Sequence, residues 1–217
     1  MAILRQMQSQ KSKPWARLVV DIGANDGLMS SNSFNFIQMG WSAIIVEPQN
    51  SQLNFYHCLF LKKKWRFEDQ RRLTNQHQDQ RVQYVQAVIS DHDGQERLYL
   101  SPDIVAMESR VVSNELLNDH SIITVTSLSV KTFALKYKVP KYFGILSIDT
   151  EGMDAKILHQ WIQLGYRPMY IVVEYLHQKE QDMTTSLLME EGYSYLMKKG
   201  YNFIFQYNID LMQGDET

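Results

Sequence analysis

Short apolar runs alternate along this chain with stretches in which apolar residues recur every three or four positions. Leu18 to Ile22 is β-branched, ends at a glycine and has the pattern of a buried strand. Ala43 to Val46, Val82 to Ile89, Gly144 to Ile148 and Tyr170 to Val173 repeat that pattern. Between these runs the spacing becomes helical. Phe34 and Ile37 share a face ahead of Gly40, Leu53, Tyr56 and Phe60 follow Gln49, and Val130, Phe133, Ala134 and Tyr137 precede Pro140. Met153, Ile157, Leu158, Trp161 and Ile162 form the next apolar stripe, and Met183, Leu187 and Leu188 the last. Tyr193 to Met197 and Tyr201 to Tyr207 flank Lys198-Lys199-Gly200 as a terminal hairpin. Glu96 to Leu100 reads as an inserted strand paired with Ile122 to Thr126. Strands alternating with helices predict a mostly parallel sheet with helices on both faces.

The sharpest local signal closes the first run, V-V-D-I-G-A-N-D-G at 19–27. Gly23, Asn25, Asp26 and Gly27 make a tight turn at low steric cost, and a helix is expected just after it. A strand, a glycine turn and a helix N-terminus bring backbone N–H donors and a positive dipole end to one spot. A dinucleotide site wants G-x-G-x-x-G, but Asn25 stands at the second glycine position and Leu28 at the third. A side chain at 25 crowds a pyrophosphate, yet it can bond the carboxylate or amine of an amino acid. Asp21 supplies a charge suited to an ammonium. The turn therefore fits an amino-acid head group, with a plain structural loop as the alternative.

Glu47-Pro48 ends the second run, roughly 20 residues on, where an acid holds a ribose diol in nucleotide-binding units. Proline stops the strand behind that carboxylate. Glu47 is expected level with Asp21 on the adjacent strand, both facing one cleft; the alternative is a solvated strand-end acid. Asp149 and Glu174 end two more runs, so four strands finish in acids. Ligands of open α/β sheets bind beyond such ends, and four acids suit a cationic or hydroxyl-rich group. Helix capping is the competing role, above all for Asp149.

V-V-D-I-G-A-N-D-G, then S-S-N-S, G-W-S-A-I-I-V-E-P, A-V-I-S-D-H-D-G and L-S-I-D-T-E-G-M-D, in that order, resemble methyltransferases of the FkbM type from about Leu18 to Gln206. The resemblance implies an α/β, Rossmann-like class I methyltransferase fold: a mostly parallel seven-stranded sheet, helices on both faces, and a terminal antiparallel hairpin. It also implies S-adenosylmethionine as cofactor and a hydroxyl of a sugar or natural product as methyl acceptor. Asp21, Gly23, Asn25, Gly27, Ser31, Glu47, Pro48, Ser90, Asp91 and Glu174 are the expected cofactor residues, with Asp91 or the backbone of Val88 to Ser90 beside the adenine. Asp149, Glu151 and His177 are the catalytic candidates, Asp149 first as general base because the resemblance places D-T-E-G at the reaction mouth.

Composition narrows this picture without redirecting it. The 217 residues fit one domain at 17–217 behind a flexible arm at 1–16. A formal charge of −2 gives no global pull toward nucleic acid, and no apolar run is long enough to span a membrane. The first 16 residues lack the apolar centre of a secretory signal, so a cytoplasmic protein is expected. Cys58 is the sole cysteine, and with His57 it makes no spaced ligand set, so no metal is expected. Segment 62–72 holds six basic residues against Glu68 and Asp69, with Trp65 and Phe67 interleaved. It is either a solvated face or a docking segment, and the latter defines a second reading: a catalytically silent domain that binds a partner there. A nicotinamide oxidoreductase is a third, disfavoured by Asn25.

Overall fold

The structure, a computed structural model, describes residues 15–25, 32–49, 81–100, 109–112, 121–174 and 178–208. Strands β1 (Ala16–Ile22), β2 (Ser42–Val46), β3 (Val82–Val85), β8 (Phe143–Ile148), β9 (Tyr170–Glu174), β10 (Tyr193–Lys199) and β11 (Asn202–Tyr207) form one seven-stranded sheet, ordered β10-β11-β9-β8-β1-β2-β3. The five strands from β3 to β9 are parallel neighbours, and β11 joins β9 antiparallel and closes a hairpin with β10. The strand order runs outward in both directions from β1 and β8. The carboxyl ends of those two strands thus mark the crevice where such sheets bind ligands.

Alternation along each strand sorts the side chains onto two faces. Val20, Ile22, Ile44, Val46, Leu146, Ile148, Ile171 and Val173 share one buried cluster with helices α2 (Val130–Lys136) and α3 (Asp154–Gln163) and with Leu188 of α4 (Gln178–Glu190). Their neighbours Val19, Ile145, Tyr170 and Val172 pack on the other side with Phe36 of the short helix α1 (Phe34–Gln38). Trp161, fully buried, meets Phe133, Phe143 and Tyr166 at ring distances of 4.8–6.0 Å and centres the larger cluster. No helix among the described residues is long and apolar enough to cross a membrane.

Two expected elements come out differently. The run Val82 to Ile89 is broken in two: β3 stays in the main sheet, while β4 (Val88–Ser90) leaves it. The hydrogen bonds explain the break: the Glu47 N–H still donates to Val85 O, but the next N–H on that side, from Gln49, turns onto the Glu47 carboxylate. β4 instead pairs parallel with β7 (Ile122–Ser129), which also pairs antiparallel with β5 (Gly94–Tyr99). With β6 (Arg110–Val111) on the far side of β5, this makes a four-stranded second sheet. The inserted strand pair is present, therefore, but in a sheet of its own. Ser33 precedes α1 without a side-chain capping bond, and Gly40, at φ 83°, follows its end.

Candidate functional site

The crevice at the ends of β1, β2, β8 and β9 opens into a cavity of about 910 Å³, counting its mouth. Gly23, Asn25, Glu47, Pro48, Asp149, Glu151 and Glu174 line it together, although they are far apart in the chain. Gly23 is required where it stands. At φ 77°, a Cβ there would lie 1.7 Å from the carbonyl oxygen of Asp149. Its N–H and that of Ala24 both donate to Val46 O, which folds the turn back onto the end of β2.

That fold-back fixes Glu47. One carboxylate oxygen accepts the N–H of Asn25 at 3.1 Å, and the other accepts the N–H of Gln49 at 2.9 Å. Asn25 reaches this position with φ 49°, a left-handed conformation that asparagine tolerates better than most residues. Burial pushes the Glu47 pKa up to about 7, against the two N–H bonds that pull it down.

The opposite wall is built differently. Asp149, Glu151 and Glu174 each bring a carboxylate oxygen within 4.8 Å of the others. Burial, then the charge of Glu174 and a hydrogen bond with it, raise the pKa of Asp149 to about 8. Among the described residues that line the cavity there is no Lys, Arg or His. The wall is thus an acidic surface ready for a positive charge, whether an ammonium, a sulfonium or a metal ion. Glu151 sits at φ 55°, a conformation that costs a non-glycine residue about 1–2 kcal/mol. Asp154 holds it there: its carboxylate accepts N–H bonds from Thr150 at 2.9 Å and Gly152 at 3.1 Å, on either side of Glu151. The helix-capping role weighed for Asp149 is not taken up: Met153 is the N-cap of α3 and makes no side-chain bond, and Asp154 ties the preceding loop instead. Ala87, Val88, Ile89, Leu98 and Val111 add an apolar surface to the same cavity.

Several expected residues lie elsewhere. Asp21 is 2% exposed and does not line the cavity. Its register partners are Ile45 and Ser147, so Glu47 stands two rungs beyond it rather than level. Alternation is the reason: Asp21 and Ser147 face the α1 side, where Asn32 donates to the Ser147 hydroxyl at 3.0 Å. Ser90 is buried and Asp91 exposed, and neither lines the cavity; from that strand the cavity receives Val88 and Ile89. Gly27, Ser31, His177 and the basic segment 62–72 lie outside the described residues. The sequence reading missed Gln49, Asp154 and the wall from β5 and β6. Asp154 left a trace, an acid three residues past Glu151; Leu98 and Val111 left none.

A family model described as the methyltransferase FkbM domain matches residues 21–203. The fold is similar to that of a methyltransferase FkbM from Methylobacillus flagellatus, with a TM-score of 0.54 and 12% identity, over 88% of this chain and 44% of that one. This chain thus spans less than half the length of that protein. A precorrin-6y C5,15-methyltransferase from Geobacter metallireducens aligns over 95% of this chain and 86% of its own, with a TM-score of 0.43 and 12% identity. A human methyltransferase 10 domain containing protein gives a TM-score of 0.44 and 13% identity, over 95% and 81%. No curated protein matches the sequence.

Proposed function

The chain belongs to the FkbM methyltransferase family, and on that premise we propose that it uses S-adenosylmethionine to methylate a hydroxyl of a sugar or natural product in the cytoplasm. The observation that carries the reading is the one cavity that joins a clamped carboxylate, an apolar wall and a cluster of three acids. These residues fit the cofactor. Glu47, oriented by two backbone N–H groups, suits a ribose diol; Val88, Ile89 and Leu98 suit an adenine ring; Asn25 suits the amino-acid head. The bound cofactor supplies an electrophilic methyl group on a positive sulfur.

The work left to the protein is alignment and proton removal. Holding an acceptor oxygen in line with the methyl group provides most of the rate. Asp149 is the general base of this proposal, because it lines the cavity in the D-T-E-G motif and its raised pKa lies near the working range of such a base. A positive charge brought against the acidic wall lowers that pKa and readies the carboxylate to take a proton. Glu174 shares the charge, and Asp154 positions Glu151 through the loop.

Calorimetric titration of the purified chain with S-adenosylmethionine and with NAD tests the cofactor. Labelled methyl transfer to a panel of alcohols, sugars and amines then tests the acceptor. Preference for NAD, or saturable cofactor binding with label appearing only on amines, would remove the corresponding half of the proposal.

A further inference from the structure

Gln160 lies on α3 next to the fully buried Trp161, and its side-chain amide reaches the second sheet. Ser90 and Ser129 are the last partners in the pairing of β4 with β7. Just past them the strands part: β7 runs into α2 with Ser129 as N-cap, and β4 ends in the turn to β5. The Gln160 amide spans the gap. Its Nε2 donates to the Ser90 carbonyl at 3.0 Å, and its Oε1 accepts the Val130 N–H at 3.4 Å. We propose that Gln160 is a positioning residue for the cavity, holding the second sheet and the apolar surface it carries against the helix that frames the acidic cluster. The inference rests on the S-adenosylmethionine reading above for one consequence: Gln160 sets the affinity for the adenine end of the cofactor.

Direction is the first argument. A primary amide has a donor end and an acceptor end, and here each meets its complement. Val130 opens α2, where the first N–H groups have no partner within the helix, and the Ser90 carbonyl stands where the ladder stops. Ser90 is fully buried, so water does not replace a bond lost there. The second argument is what moves with this contact. Val88 and Ile89 immediately precede Ser90 and line the cavity, and Leu98 on β5 and Val111 on β6 line it from the same sheet. A shift at the ends of β4 and β7 carries those side chains together. The third argument is the point of reference. Ile157, Leu158, Trp161 and Ile162 bury α3 in the larger core cluster, and Asp154 in its first turn ties the loop of Glu151. At 1.5 Å per residue, Asp154 and Gln160 stand about 9 Å apart along one helix axis. One helix thus spaces the two surfaces, with Asp154 fixing the acidic cluster and Gln160 the apolar side. A binding site left about 1 Å loose for want of such support works poorly.

The full chain is compared with two variants. Gln160→Met keeps the length and removes both bonds; Gln160→Glu keeps the acceptor and turns a carboxylate oxygen toward the Ser90 carbonyl. Amide hydrogen exchange, calorimetry with S-adenosylmethionine and with adenosine, and methyl transfer to the best acceptor of the panel above are measured on all three. In both variants exchange should quicken at Val88–Ser90 and Val125–Ser129 and stay unchanged at Val19–Ile22 of β1. Affinity for the cofactor and for adenosine should fall by the same factor, about 3- to 10-fold, with turnover at saturation near that of the parent chain. Unchanged circular dichroism guards against misfolding. Exchange that quickens equally in β1 means general loosening and overturns the proposal. Unchanged exchange at Val88–Ser90 overturns it too, as does a fall in turnover with affinity intact. A parent chain that binds no S-adenosylmethionine sinks the cofactor reading instead, and quicker exchange confined to β4 and β7 then supports the Gln160 tie independently.

Discussion

The two acidic walls of the cavity use the same functional group under opposite constraints. At the β2 end, Glu47 has each oxygen held by a backbone N–H, from Asn25 and from Gln49. At the β8–β9 end, Asp149 faces Glu174 and Glu151, and like charge adds to burial in holding its proton on. A carboxylate anchored by main chain is a fixed receptor. One surrounded by like charge is poised to change protonation when a cation arrives. On the proposed function, that difference would give binding to one end of the crevice and proton removal to the other.

Exchanging charge for amide at the two ends separates them most sharply. Asp149→Asn keeps the size and removes the proton acceptor, so turnover should fall by about 10²–10⁴-fold while cofactor affinity changes little; single-turnover methyl transfer beside calorimetry measures both. If the cofactor is lost instead, with turnover per bound complex intact, Asp149 belongs with Glu47 as a receptor. Glu47→Ala should do the reverse. Loss of bonds to a charged group worth about 1.5–3 kcal/mol predicts affinity lower by about 10- to 100-fold, with turnover at saturation near normal.

Asp154 probes the acidic wall indirectly. Asp154→Ala leaves the N–H groups of Thr150 and Gly152 without their carboxylate partner, and should cost about 1–3 kcal/mol in urea unfolding. Turnover should fall more than cofactor affinity, because the loop carries Glu151 and adjoins Asp149. Asp154→Asn should recover part of the turnover, since one oxygen acceptor remains.

The smallest effect is a pH slope. Both Glu47 and Asp149 keep their protons to higher pH folded than unfolded, to about 7 and about 8 against ordinary values of 4.5 and 3.8. Their contribution to stability is therefore full below about pH 4 and is lost as pH rises through 7 and 8. Melting temperatures across that window should decline less steeply in the Glu47→Gln, Asp149→Asn double variant. Equal slopes would mean that neither acid is perturbed in the free chain.

The elements of the main sheet were legible because burial on both faces leaves apolar runs that stop at turn residues. β1, β2, β8 and β9 lie within two residues of the expected runs, and the Tyr193–Tyr207 hairpin is where Lys198-Lys199-Gly200 put it. Glu47, Asp149 and Glu174 were legible for a related reason: in a parallel sheet the residue after an apolar run emerges at the binding edge. Asp21 breaks that rule because it lies inside its strand. Period-two alternation turned it onto the α1 face, and which face α1 would cover was a tertiary outcome.

Local sequence determined where strands and turns begin and end, since those depend on backbone propensity and on neighbours a few residues away. Tertiary structure alone decided register and partner choice. The pairing of β2 with β3 ends where the Gln49 N–H turns onto Glu47, and Val88 to Ser90 pair instead with β7, some forty residues downstream. Only then could Leu98 and Val111 close the apolar wall, and only the approach of β8 to β1 made Gly23 irreplaceable against Asp149. Contacts between segments distant in sequence carry no local signature, because the free energy that selects them is released when the surfaces meet.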